Sequence, residues 1–186
     1  ALIQCLDCDD YYVRESAAQA LESLGDSQAI PALRGLLAGG VAAAVAVPGK
    51  PHLVQPYNAV LEALGSLGAV DAVDDIAPFL EHEVAQVQNA ATRALYQLTG
   101  DPTYCDRLVE RLRSPNLQLR RSAMMDLGAI GYLPAAAAIA ATPAENSLKL
   151  IALQGVLESH LRQSGFPAQS LSSDARQVLA LMDELL

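Results

Sequence analysis

The chain has 186 residues, 52% of them hydrophobic but only 4% aromatic, with no Trp and with 12 basic side chains against 21 acidic ones. A net charge of −9 and a pI near 4.6 argue against a general nucleic-acid binder, which needs clustered Lys and Arg to neutralise phosphates, and favour a chain that stays in solution. Much of the apolar fraction is Ala and Leu interleaved with Glu, Gln and Arg; these are strong helix formers, so composition predicts an all-α protein.

Taken in chain order, the start shows no secretory signal, since it opens Ala-Leu-Ile-Gln-Cys without a basic segment or a small-residue cleavage site; it reads as a chain already cut into. Cys5 and Cys8 have the spacing of half a zinc site, but no second Cys or His pair follows at ligand distance. They are read as packed thiols of a reducing compartment, and no metal site is expected.

Residues 13–25 form the first copy of a recurring amphipathic helix, which can be laid over 56–68, 87–99, 119–131 and, more weakly, a stretch from Leu148. The copies start at 13, 56, 87, 119 and 148, in steps of 43, 31, 32 and 29 residues. One column holds Leu21, Leu64, Leu95, Leu127 and Val156; another, four residues earlier, holds Ala17, Val60, Ala91, Ala123 and Ala152. Both columns fall on one helical face. Shorter amphipathic segments at 29–37, 72–80, 104–112 and 133–141 lie between the copies, several with a Pro in the first turn, and the recurring helices end at or near a Gly. Neither helix of such a hairpin buries its face alone, so the unit predicts an α-solenoid of HEAT-like hairpins, an armadillo-type superhelix, whose second helices line a concave side.

The first step is too long, and the surplus around 38–56 holds a Gly pair and three prolines. It predicts a helix extension followed by an ordered loop, the kind of insertion that falls on one face of a solenoid. The expected organisation is a solenoid of about five hairpins over 1–163 with an inserted loop near 39–55, a linker over 164–173 and a capping helix over 174–186. Apolar runs at 41–47 and 132–141 fall short of the roughly 18–20 residues that span a bilayer, so no membrane span is expected.

No dinucleotide, phosphate-loop, serine-hydrolase or zinc-protease motif occurs. What remains is polar helix face. Arg14, Glu15, Tyr57, Asn58, Gln88, Asn89, Arg93, Arg120 and Arg121 fall at the starts or non-core faces of the recurring helices, within a charge pattern of acidic flanks around a basic stretch at 91–121. Arg14 and Arg120 also suit a plain structural role, bonding an Asp or a carbonyl nearby. As a set, Arg93, Arg120 and Arg121 with Tyr57 and Tyr96 suit an anionic planar ligand, Arg forks taking carboxylates and rings stacking on a π-system; an acidic partner protein is the rival use.

Specific strings carry a resemblance. Residues 8–21 (Cys-Asp-Asp-Tyr-Tyr-Val-Arg-Glu-Ser-Ala-Ala-Gln-Ala-Leu), the insert Pro-Gly-Lys-Pro-His at 48–52, Leu-Gln-Leu-Arg-Arg at 117–121 and Asp-Leu-Gly-Ala-Ile-Gly-Tyr-Leu at 126–133 resemble the cyanobacterial HEAT-repeat phycobilin lyases of the E/F type, on the E side. The resemblance runs from Ala1 to about Gln163; further N-terminal repeats usual in that family are missing. It implies a cytoplasmic, phycobilisome-associated enzyme subunit that pairs with an F-type lyase subunit. Its reaction adds a Cys thiol of the phycocyanin α chain to the ethylidene carbon of phycocyanobilin, which is substrate rather than permanent cofactor. With this function, Glu15 and Tyr57 are the expected catalytic groups and Arg14, Asn58, Arg93, Tyr96, Arg120, Arg121 and His52 the expected bilin-binding ones. The alternative is a non-catalytic HEAT scaffold or chaperone that grips a phycobiliprotein or a partner lyase.

Overall fold

The computed structural model describes residues 1–163 and 171–186, in two compact units, Ala1–Asp101 and Pro102–Leu186. Among the described residues the elements are helices, and an isolated antiparallel bridge between Ala46 and Leu53 is the one extended pairing. No helix among them is long and apolar enough to cross a membrane.

The first unit is organised by three long helices, α2 (Tyr11–Leu24), α5 (Tyr57–Ser66) and α7 (Ala85–Thr99), with α2 packed on α5 and α5 on α7. The sequence explains where they start and stop. Asp10 accepts from the backbone N–H groups of Tyr12 (2.8 Å) and Val13 (3.3 Å), which α2 leaves without helical partners. Gly25 at φ +66° and Gly100 at φ +70° end α2 and α7 in the left-handed conformation that glycine adopts without a Cβ penalty.

The short α1 (Leu2–Cys5) precedes α2, and α3 (Ile30–Gly35), α4 (Gly40–Ala43) and α6 (Val73–Ile76) supply the other layer. These are shorter than the sequence predicts. The helix expected over 72–80 continues past α6 as a 3₁₀ turn, Ala77–Glu81, because Pro78 brings no N–H to an α-helical ladder. The insert begins as α4 and then forms a small ribbon, in which the N–H of Val47 donates to His52 O (3.1 Å) and that of Val54 to Val45 O (3.0 Å).

The second unit repeats the arrangement with α8 (Pro102–Arg111) against α9 (Leu117–Ile130), α9 against α11 (Asn146–Gln163), and α10 (Ala136–Ala141) with α12 (Ser173–Leu185) beside α11. Of the linker expected over 164–173, residues 164–170 lie outside the described residues, while Ser172 caps α12 through its hydroxyl, which accepts from Ala175 N–H at 3.1 Å. Asn146 at the start of α11 donates to the carbonyl of Leu185 (2.9 Å) and holds the far end of α12.

Both apolar columns read from the sequence are core. Leu21, Leu64, Leu95, Leu127 and Val156 are buried, and so are Ala17, Val60, Ala91, Ala123 and Ala152. Each buried Leu contributes about 1.5–3 kcal/mol, and the Ala column lets neighbouring helices approach. At the closest crossings even a methyl is too much: a Cβ on Gly65 would lie 2.6 Å from Ala94 Cα, and one on Gly128 would lie 2.9 Å from Ala152 O. An aromatic-poor sequence therefore still packs a dense interior.

Candidate functional site

The second residue of the recurring helix shows what the repeat does with its polar positions. The guanidinium of Arg14 turns back to the Cys8 carbonyl (2.6 Å) and reaches forward to Val54 O (2.9 Å). In the second unit Arg120 does the same, donating to Ser114 O (2.7 Å), Pro115 O (3.1 Å) and, through Nε and Nη2, to Pro143 O (3.2 and 3.0 Å). The side-chain amide of Gln88 turns back likewise to His82 O. Each residue reaches six positions upstream, so the register carries a loop clamp in which charged or amide donors satisfy carbonyls that precede a helix. Arg14 and Arg120 thereby take the structural role the sequence allowed them.

At the equivalent position of α5 stands Tyr57, and here the expected polar face is corrected. Tyr57 is 1% exposed, and its ring lies 5.4 Å from that of Phe79; burial pushes its phenol above the usual tyrosine range. Following Pro56, the ring turns into the space beside the 3₁₀ turn, where burying a large aromatic surface is favourable. Asn89 is also buried, whereas Asn58 is half-buried in the first turn of α5.

Arg93 on α7 is held by two carboxylates, Glu22 on α2 (3.0 Å) and Glu62 on α5 (3.3 Å), and donates weakly to Ser66 Oγ (3.4 Å), whose hydroxyl donates to Glu22 (2.7 Å). Its side chain is 14% exposed, and the network ties three helices together. Tyr96 is half-buried one turn further along α7. Glu22 lies eight residues beyond Arg14 on α2, about 12 Å along the helix axis, so Arg93 and Arg14 belong to separate places. Arg121 pairs with Glu145 at the surface of the second unit, where both side chains are partly exposed.

One place in the first unit does gather predicted residues. Between the start of α2 and the insert ribbon lies a cavity of about 390 Å³, lined by Tyr11, Tyr12, Arg14, Lys50, His52 and Val54, among others. His52 stacks on Tyr11 with ring centroids 4.1 Å apart and planes 15° apart, and Tyr12 meets both rings edge-on. The Tyr11 phenol donates to Glu15, and burial, then the Glu15 charge and this bond, push it up to about 12. Tyr11 is therefore a neutral donor at ordinary pH and Glu15 its acceptor. His52 Nδ1 lies 2.8 Å from Leu53 O, which requires the proton on Nδ1.

The sequence pointed to Arg14 and His52 in this lining, and to Glu15, which lies outside it and meets it through Tyr11, but not to Tyr11, Tyr12 and Lys50. The signal was present in the quoted strings: a Tyr pair directly after an N-capping Asp, and a Lys in a Pro-Gly-Lys-Pro-His insert. A larger cavity, about 610 Å³, lies among α3, α4 and α6, but the Arg34–Asp75 ion pair (2.7 Å) sits in it and its lining holds no aromatic ring. The smaller cavity offers aromatic rings with the Arg14 and Lys50 cations beside the Asp9 and Asp10 carboxylates, and so fits a planar ligand that carries both polar N–H groups and carboxylates better.

Comparison with known proteins agrees with this architecture. Residues 56–128 match HEAT repeats and residues 13–39 match the PBS lyase HEAT-like repeat. The chain is 63% identical over 185 residues to the phycocyanobilin lyase subunit alpha of Picosynechococcus sp., covering 100% of this chain and 68% of that protein. It is 41% identical over 162 residues to the bilin biosynthesis protein PecE of Mastigocladus laminosus, covering 87% and 56% respectively. The solved complex of CpcE and CpcF of phycocyanin lyase from Nostoc sp. contains a chain that superposes with a TM-score of 0.90 at 59% identity, covering 100% of this chain and 66% of that one. The chain thus spans about two thirds of the length of these lyase subunits. With identity this high over its whole length, the chain belongs to the family of phycocyanobilin lyase alpha subunits.

Proposed function

We propose that this chain acts as the alpha-type subunit of a heterodimeric phycocyanobilin lyase, which attaches the bilin to a cysteine of the phycocyanin α chain in the company of an F-type subunit. The observation that carries this reading is the family membership, with 63% identity over 185 residues. The cavity between those two segments supports it chemically and is where we place part of the bilin. Its rings offer stacking to pyrroles, and the exposed Lys50 ammonium offers a counter-charge to a propionate. Bilin is here a substrate, and the cytoplasm the compartment in which phycocyanin would receive it.

The reaction is an addition. The acceptor sulfur bonds to the ethylidene carbon of ring A, the π electrons of that double bond pass into the ring system, and a proton completes the adduct; nothing leaves. The lyase need not supply the nucleophile. Its contribution is to hold the bilin extended and orient the electrophilic carbon, which is worth several orders of magnitude in effective concentration. Glu15, bound by Tyr11, is an acceptor suited to pyrrole N–H groups, and a neutral Tyr11 avoids placing a second anion beside it. Arg93 and Tyr57 act through the fold, because their functional groups are engaged or buried.

The test is attachment itself. Mixed with its F-type partner, phycocyanobilin and the phycocyanin α chain, this chain gives a covalent, denaturation-resistant chromophore on the acceptor. An acceptor that stays uncoloured while the three proteins still co-purify would assign the chain to a scaffold instead.

A further inference from the structure

The insert ribbon carries Val47, Lys50, His52 and Val54 to the cavity but has little of its own to hold it there. It has no helix after α4, and its pairing is a single bridge. A two-stranded ribbon of this length is marginal in water, so its position depends on what grips it from outside. Three contacts do. Arg14 takes the Val54 carbonyl at 2.9 Å, Tyr11 stacks on His52, and at the root of the insert His82 Nε2 lies 2.8 Å from the carbonyl of Ala44.

His82 differs from the other two, because it lies outside the cavity lining and belongs to the turn between the 3₁₀ segment and α7. It is 1% exposed, its ring faces Phe79, and its own carbonyl is held by the Gln88 side chain. Its ring proton is placed by bonding alone. The N–H of Val84 donates to Nδ1 at 3.0 Å, so Nδ1 presents a lone pair, and Nε2 must carry the hydrogen that reaches Ala44 O. One ring therefore has two separable duties: Nδ1 orders the start of α7, where Val84 supplies no side-chain cap, and Nε2–H fixes the insert.

We propose that His82 is a positioning residue of the cavity: its Nε2–H, bonded to Ala44 O, anchors the root of the insert and so sets where His52 and Lys50 meet Tyr11 and Tyr12. The proposal rests on the bilin reading for its functional consequence and on the hydrogen bonds alone for its structural one. Two amide variants separate the duties. Asn at position 82 places an oxygen where Nδ1 stood and keeps the Val84 bond, but is too short for Ala44; Gln is long enough to place an N–H where Nε2 stood.

The experiment uses the full chain with selectively labelled histidine, and follows two readouts: the His52 ring resonance, displaced upfield by the stacked Tyr11 ring, and phycocyanobilin affinity in the presence of the F-type partner. For His82→Asn we expect the His52 resonance to move toward its unstacked position and affinity to fall about tenfold, as for loss of one buried hydrogen bond. His82→Gln should keep the His52 resonance in place and affinity within about twofold. The proposal is overturned if His82→Asn leaves both readouts at wild type, which would confine His82 to the start of α7, or if His82→Gln loses them as fully as His82→Asn, which would show that a donor restored toward Ala44 does not set the insert. Absence of bilin binding in the wild type, with His52 responding as stated, would overturn the bilin assignment and leave the anchor standing.

Discussion

Replacing Gly65 by Ala probes the feature on which the first unit depends most, the close crossing of α5 and α7. A Cβ there would lie 2.6 Å from Ala94 Cα and 2.9 Å from Ala94 Cβ, as well as 2.5 Å from Gln97 Oε1. The amide can swing aside; the α7 backbone cannot. In an unobstructed helix the change gains about 1 kcal/mol of propensity. Overpacking a tight core costs about 1–3 kcal/mol or more, and a clash with backbone belongs at or beyond the top of that range. The net expectation is a loss of about 2 kcal/mol. The same substitution at Gly35, the last residue of α3, meets nothing within 4 Å and should gain roughly 0.5 kcal/mol. Guanidinium titration followed by helical circular dichroism measures both, with unchanged slopes showing that the midpoints report stability. A Gly65→Ala protein as stable as wild type, or more so, would refute the close crossing, since the clash would then fail to outweigh the gain in propensity.

Two further outcomes concern the second unit. Arg120→Ala should cost about 1 kcal/mol in the same titration, because the half-buried Ser114 carbonyl loses a charged donor while the exposed Pro115 and Pro143 carbonyls can turn to water, whereas Arg121→Ala, which breaks a surface pair, should cost less than about 0.5 kcal/mol; equal effects would show that the loop clamp is not a clamp. Glu145 should give a pH-dependent increment: its own backbone N–H and then Arg121 hold its carboxyl below the ordinary value of 4.5. A depressed folded-state pKa means that this stability is present above 4.5 and is lost as pH falls through the lower folded value. The stability difference between wild type and Glu145→Gln should thus be constant from neutral pH down to that range and then shrink, and a difference independent of pH would contradict the pairing.

The repeat register was legible in the sequence because it is a packing signal. Leu at one column and Ala four residues earlier are what a helix stacked on its neighbours must carry, and every residue of both columns is buried. The C-terminal ends of the recurring helices were legible too, through the glycines that follow them, such as Gly25 and Gly100, whereas the Asp10 cap was not read. The first helices of the hairpins were less so, since Pro78 permits either an α or a 3₁₀ continuation and tertiary packing decides. Polar positions were the least legible. Arg14, Gln88 and Arg120 clamp loops from a register where Tyr57 fills the core, so one position serves bonding in three copies and packing in the fourth. Helical phase places a residue on a face but does not say how far a long side chain folds back, which is why Arg93 looked like a ligand for carboxylates from outside and instead holds Glu22 and Glu62. Tyr11, Tyr12 and Lys50 stood in strings already noticed; their convergence depends on a contact between residues some forty positions apart, such as Arg14 with Val54, and no local pattern encodes it.

Placement of part of the bilin between the start of α2 and the insert rests on the rings and the cation that line that cavity. Absorbance titration of phycocyanobilin into the chain and its F-type partner tests it most directly. A bilin held there gives a shifted, sharpened band with the wild-type chain, about tenfold weaker binding for the His52→Ala, Lys50→Ala double variant, and an unchanged curve for Arg34→Ala in the larger cavity. Wild-type binding by the double variant, or loss of binding confined to Arg34→Ala, would contradict it.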